Sequence, residues 1–187
     1  MLRVIGGTAR GVPLKSPDTK NTRPTLDRTK ESLFNILMPY IADARVLDLF
    51  SGSGSLGIES LSRGAKEAVF IDSSKYCRNI IIENLKKTRL EEHSTVMALD
   101  VIKAIKLLSK RNAKFDIIFI DPPYNMNFIA NTIQNIDEFD IIAEEGIIAC
   151  EHHVNEHAPE KSGRLIKIRT KEYGETLYSF YIRDSQA

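Results

Sequence analysis

Val46-Leu47-Asp48-Leu49-Phe50-Ser51-Gly52-Ser53-Gly54-Ser55-Leu56-Gly57 is the stretch on which the fold turns. An apolar, strand-like run from Arg45 to Phe50 meets Gly52, Gly54 and Gly57 in G-x-G-x-x-G spacing. A helix-like segment from about Leu56 to Arg63 follows. Glycine admits positive φ and lets the backbone come close to a ligand, and open α/β sheets bind ligands at the carboxyl ends of their strands. The loop therefore reads as a cofactor site. Asp72 stands 20 positions after Gly52, at the end of the next strand-like run, Ala68–Ile71. A carboxylate there accepts both hydroxyls of a ribose, or else caps the helix that begins near Ser74.

Outward from this point the pattern repeats. Strand-like Thr95–Leu99 and Phe115–Ile120 are followed by helix-like Val101–Ser109 and Phe128–Ile136, and Ser74–Thr88 reads as the helix before them. Alternating β and α units with apolar strands predict a mostly parallel α/β sheet covered on both faces, Rossmann-like in type. The end differs. Ile147–His152, Leu165–Thr170 and Thr176–Ile182 are strand-like, and Lys171–Glu175 joins the last two as a tight loop, so a C-terminal antiparallel hairpin is expected. At the other end, residues 1–15 read as a short hairpin around Gly6-Gly7 and Gly11. Thr25 is placed to cap a helix running to about Met38, which Pro39 helps to end.

The glycine loop alone fits NAD(P) about as well as S-adenosylmethionine. Two residues favour the latter. Asp48 precedes the loop on the same strand, where it would repel a pyrophosphate but suits the amino-acid end of S-adenosylmethionine. Asp100 follows the third strand, where it accepts from an adenine amino group or caps the next helix. The candidate cofactor set is Asp48, Phe50, Gly52, Ser53, Gly54, Gly57, Asp72, Ser73, Asp100 and Val101.

Asp121-Pro122-Pro123-Tyr124 ends the fourth strand, beside that loop, and is the candidate catalytic tetrapeptide. Two prolines stiffen the backbone and remove two donors. The Asp121 carboxylate and the Pro122 carbonyl then form a pair of acceptors suited to the two N–H groups of a planar amine, and Tyr124 offers a face on which a base can stack. Held in line with an activated methyl, such an amine gains mainly from orientation. A rigid turn is the plain reading of the same residues. A base inside a duplex would not reach such a pocket, so the target is expected to be single-stranded, looped or flipped out.

Composition narrows the classes. The chain has 187 residues, 42% hydrophobic and 27% charged, which fits one ordinary globular domain. No apolar run approaches the ~20 residues that span a bilayer, and the N-terminus has no signal-peptide pattern, so a cytoplasmic location and no membrane partner are expected. Cys77 and Cys150 are too few for a disulfide framework, and His152, His153 and His157 lack a completing ligand shell, so no metal is expected. Residues 1–30 hold seven basic residues against two acidic ones, on a chain whose net charge is +1. That skew suits a polyanion, with Arg3, Arg10, Lys15, Arg23 and Arg28 as candidate RNA contacts, and equally suits a solvated leader.

The chain resembles the RsmD-like bacterial small-subunit ribosomal RNA guanine-N2 methyltransferases. The resemblance runs from Arg3–Gly7 and Gly11 through Arg23-Pro24-Thr25, Glu31–Leu37, Leu47–Gly57, Glu59–Ala65 and Asp121–Tyr124 to Tyr173–Thr176. It implies a class I methyltransferase fold, S-adenosylmethionine as cofactor, and N2-methylation of a guanine in 16S-type rRNA, with a partly assembled small subunit as partner. Residues 1–24 would then be an RNA-contacting extension and residues 25–187 the catalytic core of one domain, acting as a monomer. Lys30 stands where the family pattern has arginine, which keeps the charge but not the bidentate phosphate geometry. Competing readings are an amino-methyltransferase of DNA adenine or cytosine or of protein glutamine, an NAD(P)-dependent oxidoreductase, and a non-catalytic RNA-binding protein. The chain shows no large DNA-recognition domain and no Tyr-x-x-x-Lys pair, and its acidic motifs are intact.

Overall fold

The computed structural model describes residues 2–17, 27–123 and 128–185. Its centre is a sheet of eight strands: β1 (Arg45–Leu49), β2 (Glu67–Ile71), β3 (Ser94–Met97), β4 (Phe115–Ile120), β5 (Ile142–His153), β6 (Lys161–Ser162), β7 (Leu165–Tyr173) and β8 (Thr176–Arg183). The strand order is β3-β2-β1-β4-β5-β8-β7-β6. Pairings among β1 to β5 are parallel, and β8 enters antiparallel beside β5. This is the mixed α/β sheet with a C-terminal hairpin that the alternating pattern predicts.

Five helices cover the sheet: α1 (Asp27–Ile41), α2 (Ser55–Ser62), α3 (Lys75–Thr88), α4 (Val101–Lys110) and α5 (Phe128–Glu138). Strand side chains alternate between two cores. Val46, Phe70, Ile117, Phe119 and Ala149 pack with Leu33, Phe34 and Leu37 of α1, with α2 and α3, and with Val4, Ala9 and Leu14 of the N-terminal segment. Leu47, Leu49, Ile118, Ile120 and Ile148 pack on the other side against α4 and α5. The chain changes sides after β3, so strand order reverses between β1 and β4. That reversal opens a crevice at their carboxyl ends, where doubly wound sheets bind ligands. No helix among the described residues is long and apolar enough to cross a membrane.

Residues 2–17 form the short hairpin expected: an antiparallel bridge joins Arg3 and Pro13, with Val4 N–H donating to Val12 O at 3.0 Å and Leu14 N–H to Leu2 O at 2.9 Å. Its turn is also tied to α2, where Thr8 N–H donates to Ser62 O at 2.7 Å and Ala9 N–H to Ser62 Oγ at 2.9 Å. Two local expectations are corrected. Helix α1 runs through Pro39 to Ile41, because Ile41 is buried and holds the last turn on the core. Its expected cap, Thr25, lies outside the described residues. Strand β5 begins five residues before Ile147, through an irregularity opposite Phe115 and Ile117. Gly146 permits this, since a Cβ there would lie 2.9 Å from Phe115 O.

Candidate active site

The loop after β1 is built on left-handed backbone at Phe50, Gly52 and Gly54, with φ of 60°, 56° and 76°. Phe50 takes this conformation without being glycine. Its ring is held against Phe128 with centroids 5.5 Å apart. Ser51 ties the loop down: its hydroxyl donates toward Asp48 O at 2.5 Å and accepts from Ile71 N–H at 3.0 Å. Asp72 braces the same turn, accepting from Gly52 N–H at 2.9 Å and Ser74 N–H at 2.8 Å. The cap of α3 is Ser74, whose hydroxyl accepts from Cys77 N–H. Asp100 caps α4, accepting from Ile102 and Lys103 N–H at 3.0 and 3.1 Å.

The glycines divide by role. Gly52 lines the cleft. Gly54 opens α2 and packs on Ile81, while a Cβ on Gly57 would meet the Phe70 ring at 2.3 Å. Neither Gly54 nor Gly57 is among the cleft residues. Gly57 N–H donates instead to Asp48 Oδ2 at 3.0 Å. Asp48 is 2% exposed. Burial pushes its carboxyl up to about 7, with the Gly57 hydrogen bond opposing and the Asp72 charge reinforcing.

The crevice between β1 and β4 is a cleft of about 610 Å³. Of the residues singled out in the sequence, Asp48, Phe50, Gly52, Ser53, Asp72, Ser73, Asp100, Val101, Asp121, Pro122 and Pro123 line it. Tyr124 lies outside the described residues. Asp121 follows Ile120 at the end of β4. Burial, then the negative charges of Glu151 and Asp48, raises its carboxyl well above the ordinary range. Among the described lining residues there are five carboxylates (Asp48, Asp72, Asp100, Asp121 and Glu151) and no lysine or arginine. Such a lining suits a cationic ligand and disfavours a pyrophosphate.

Sequence reading missed Glu151 of β5, Phe128, Asn131 and Thr132 of α5, and Leu2, Ser16 and Pro17 of the N-terminal segment. Glu151 had a visible signal: it is an acid ending the apolar run Ile147-Ile148-Ala149-Cys150. The N-terminal wall had none, because its anchors are distant in sequence. Asn84 accepts from Lys15 N–H at 2.8 Å and donates to Lys15 O and Ser53 O at 2.9 and 2.8 Å. Glu59 accepts from Ile5 N–H and Gly6 N–H, each at 2.8 Å.

Lys30 belongs to this anchor and is fully buried. Its side chain and that of Glu59 are both 0% exposed, 3.2 Å apart. Its ammonium also donates to Arg3 O at 2.5 Å and Ser55 Oγ at 3.1 Å. Burial lowers its pKa, and Glu59 opposes that. Of the candidate RNA contacts, Arg10 and Arg28 are exposed. Arg3 pairs with Asp27 at 2.8 Å and Lys15 with Glu83 at 2.9 Å, both at the surface. Arg23 lies outside the described residues.

The profile of the family described as "Conserved hypothetical protein 95" matches residues 2–182. The chain is 39% identical over 180 residues to "Putative rRNA methyltransferase YlbH" of Bacillus subtilis, covering 96% of this chain and 98% of that one. It is 35% identical over 185 residues to "Ribosomal RNA small subunit methyltransferase D" of Escherichia coli K12, covering 99% and 91%. The solved structure of "Putative methyltransferase yhhF from Escherichia coli" superposes with a TM-score of 0.84 at 31% identity, covering 99% of each chain.

Proposed function

The chain belongs to the family described as Conserved hypothetical protein 95, and from that premise we propose that it is an S-adenosylmethionine-dependent methyltransferase acting on the exocyclic N2 amine of a guanine in small-subunit 16S-type rRNA. The observation that carries this reading is the joining of the glycine loop and Asp121-Pro122 in one acidic cleft without a basic side chain among its described residues. Relatives bearing rRNA methyltransferase names over nearly the full chain support the substrate class.

When bound, the cofactor supplies a methyl group already activated on a sulfonium. Asp72 would receive the ribose hydroxyls, Asp48 would face the α-ammonium of the amino-acid end, and Asp100 would accept from the adenine amine with the acceptor capacity that capping leaves it. Gly52, Ser53, Phe50, Ser73 and Val101 shape the walls, while Gly54 and Gly57 set the turn and its packing on β2. Asp121 and the Pro122 carbonyl accept from the two N–H groups of the target amine and orient its nitrogen. Charge that develops there is met by preplaced acceptors. The methyl would move from sulfur to nitrogen, leaving the thioether product, and the surplus amine proton would then pass to solvent. Pro123 stiffens the turn, and Tyr124 stacks on the extruded base.

Residues 1–24 act as an RNA-holding extension of one methyltransferase domain, with Arg3, Arg10, Lys15 and Arg23, and Arg28 of α1 beside it, on phosphates. The surface pairs of Arg3 and Lys15 are worth little in water, so phosphates can compete for these cations. The protein works as a monomer without a metal, in the cytoplasm, on a partly assembled small subunit. The test is mass mapping of rRNA nucleosides from cells lacking the protein. One N2-methylguanosine of the small subunit should vanish and return when the protein is restored to those subunits with S-adenosylmethionine. An unchanged guanosine profile would refute the reading.

A further inference from the structure

Exocyclic amines differ in what stands beside them. Guanine carries a second donor, N1–H, next to its N2 amine. Adenine and cytosine present a bare ring nitrogen, an acceptor, in the matching place. A site that selects guanine therefore needs an additional acceptor beside the one that holds the amine, and a flipped base is read along this edge.

Glu151 occupies such a place. Parallel pairing sets Ile120 of β4 opposite Cys150 of β5, so Asp121 and Glu151 come next on neighbouring strands, which run about 4.8 Å apart. Ile120 and Cys150 pack toward α4 and α5. The alternation of side chains turns Asp121 and Glu151 to the opposite face, and both line the cleft. The Tyr178 hydroxyl, on a ring 1% exposed, donates to Glu151 Oε2. Tyr173 packs edge-on against that ring with centroids 6.0 Å apart. A carboxylate has about four acceptor positions, more than the Tyr178 hydroxyl fills.

We propose that Glu151 is the residue that selects guanine, its carboxylate accepting N1–H beside the amine held by Asp121 and Pro122. The inference rests on the guanine-amine reading above. The neighbouring charges also fit it. Two carboxylates this close resist carrying two charges, and burial beside Glu151 and Asp48 raises the proton affinity of Asp121. A neutral Asp121 still accepts through its carbonyl oxygen.

The experiment substitutes the base. The guanine methylated by the wild-type protein is located by nuclease mapping, and small-subunit RNA is then ligated with 2-aminopurine at that position. This base keeps the amine but presents N1 as an acceptor. The wild type should methylate it with kcat/KM lower by roughly 10²-fold, the order expected when a buried acceptor faces an acceptor. Glu151→Gln, which offers an N–H in the same shape, should bring the two bases within about tenfold. Tyr178→Phe, which removes the hydroxyl that holds Glu151, should reduce the discrimination in part. The inference is overturned if the wild type treats both bases alike, or if Glu151→Gln slows both by one factor. If that variant does not fold, retained full discrimination in Tyr178→Phe overturns it. Methylation of another base, or of another guanine atom, would defeat the proposed function itself; N2-methylguanosine formed without discrimination would defeat only the role of Glu151.

Discussion

Replacing Glu59 by alanine should detach one wall of the cleft without touching the cleft itself. Glu59 is fully buried and receives four donors: Ile5 N–H, Gly6 N–H, Arg63 Nε and the Lys30 ammonium. Removing it leaves Lys30 buried with neutral partners, Arg3 O and Ser55 Oγ, and two amides without their acceptor. Breaking a buried pair from one side typically costs about 3–5 kcal/mol. For a chain this size each kcal/mol moves Tm by about 2–4 °C, so a fall of roughly 6–20 °C is expected. Lys30→Met should cost less, about 2 kcal/mol, because Arg63 remains as countercharge at 2.8 Å. Thermal unfolding by circular dichroism measures both. Hydrogen exchange locates the effect, since the Ile5 and Gly6 amides should lose protection first. Leu2, Ser16 and Pro17 line the cleft from this segment, so S-adenosylmethionine affinity should fall as well. A Tm change under about 3 °C in Glu59→Ala, with Ile5 and Gly6 still protected, would refute the anchoring role.

Three further outcomes are expected. Asp121→Ala should lower kcat by about 10²–10³ while RNA binding changes little, and Asp121→Asn, which keeps an acceptor oxygen, should retain more activity; normal turnover in the alanine variant would return the tetrapeptide to a rigid turn. Asp72→Ala should weaken S-adenosylmethionine by about 1–3 kcal/mol in calorimetry, with unchanged affinity removing Asp72 from the site. Because burial holds the Asp48 carboxyl at about 7, its proton competes with a cationic ligand below that pH: affinity should rise as pH climbs through 6 to 7, level off above, and lose this slope in Asp48→Asn.

The β/α alternation was legible because strands buried on both faces are written as unbroken apolar runs. Phe115-Asp116-Ile117-Ile118-Phe119-Ile120 became β4 with the bounds read from the sequence. Errors arose where tertiary packing overrode local signals. Ile41 draws a helix past Pro39, and Gly146 lets a strand expected from Ile147 begin at Ile142 and run through Glu144-Glu145. In the N-terminal hairpin, Gly7 has the positive φ that a turn glycine supplies, and a second reason that the local sequence does not display: a Cβ would come within 1.7 Å of Ser62 O, a contact made across fifty-five positions.

The site was legible in proportion to how local its geometry is. Gly52, Asp72 and Asp121 sit where a strand ends, and a strand end in an alternating pattern is easy to locate. Spacing does not separate a glycine that faces a ligand from one that lets a helix approach a sheet, so Gly54 and Gly57 entered the motif beside Gly52 although only Gly52 borders the cleft. Glu59 and Glu151 carried another kind of signal, a lone acid in an apolar context. Such a residue is expensive to bury without partners, so each implied partners that a one-dimensional reading leaves unnamed: Lys30, Arg63 and two amides for Glu59, the Tyr178 hydroxyl for Glu151. Their fates then diverge. Glu59 meets positive charge inside the fold and serves to hold it. Glu151, Asp121 and Asp48 share a cleft whose described lining holds no lysine or arginine, and burial there raises the proton affinity of Asp48 and Asp121. Acids gathered in one cleft against the local cost of burying them are what functional sites display, and a cationic cofactor and an amine are ligands that would bring donors to them.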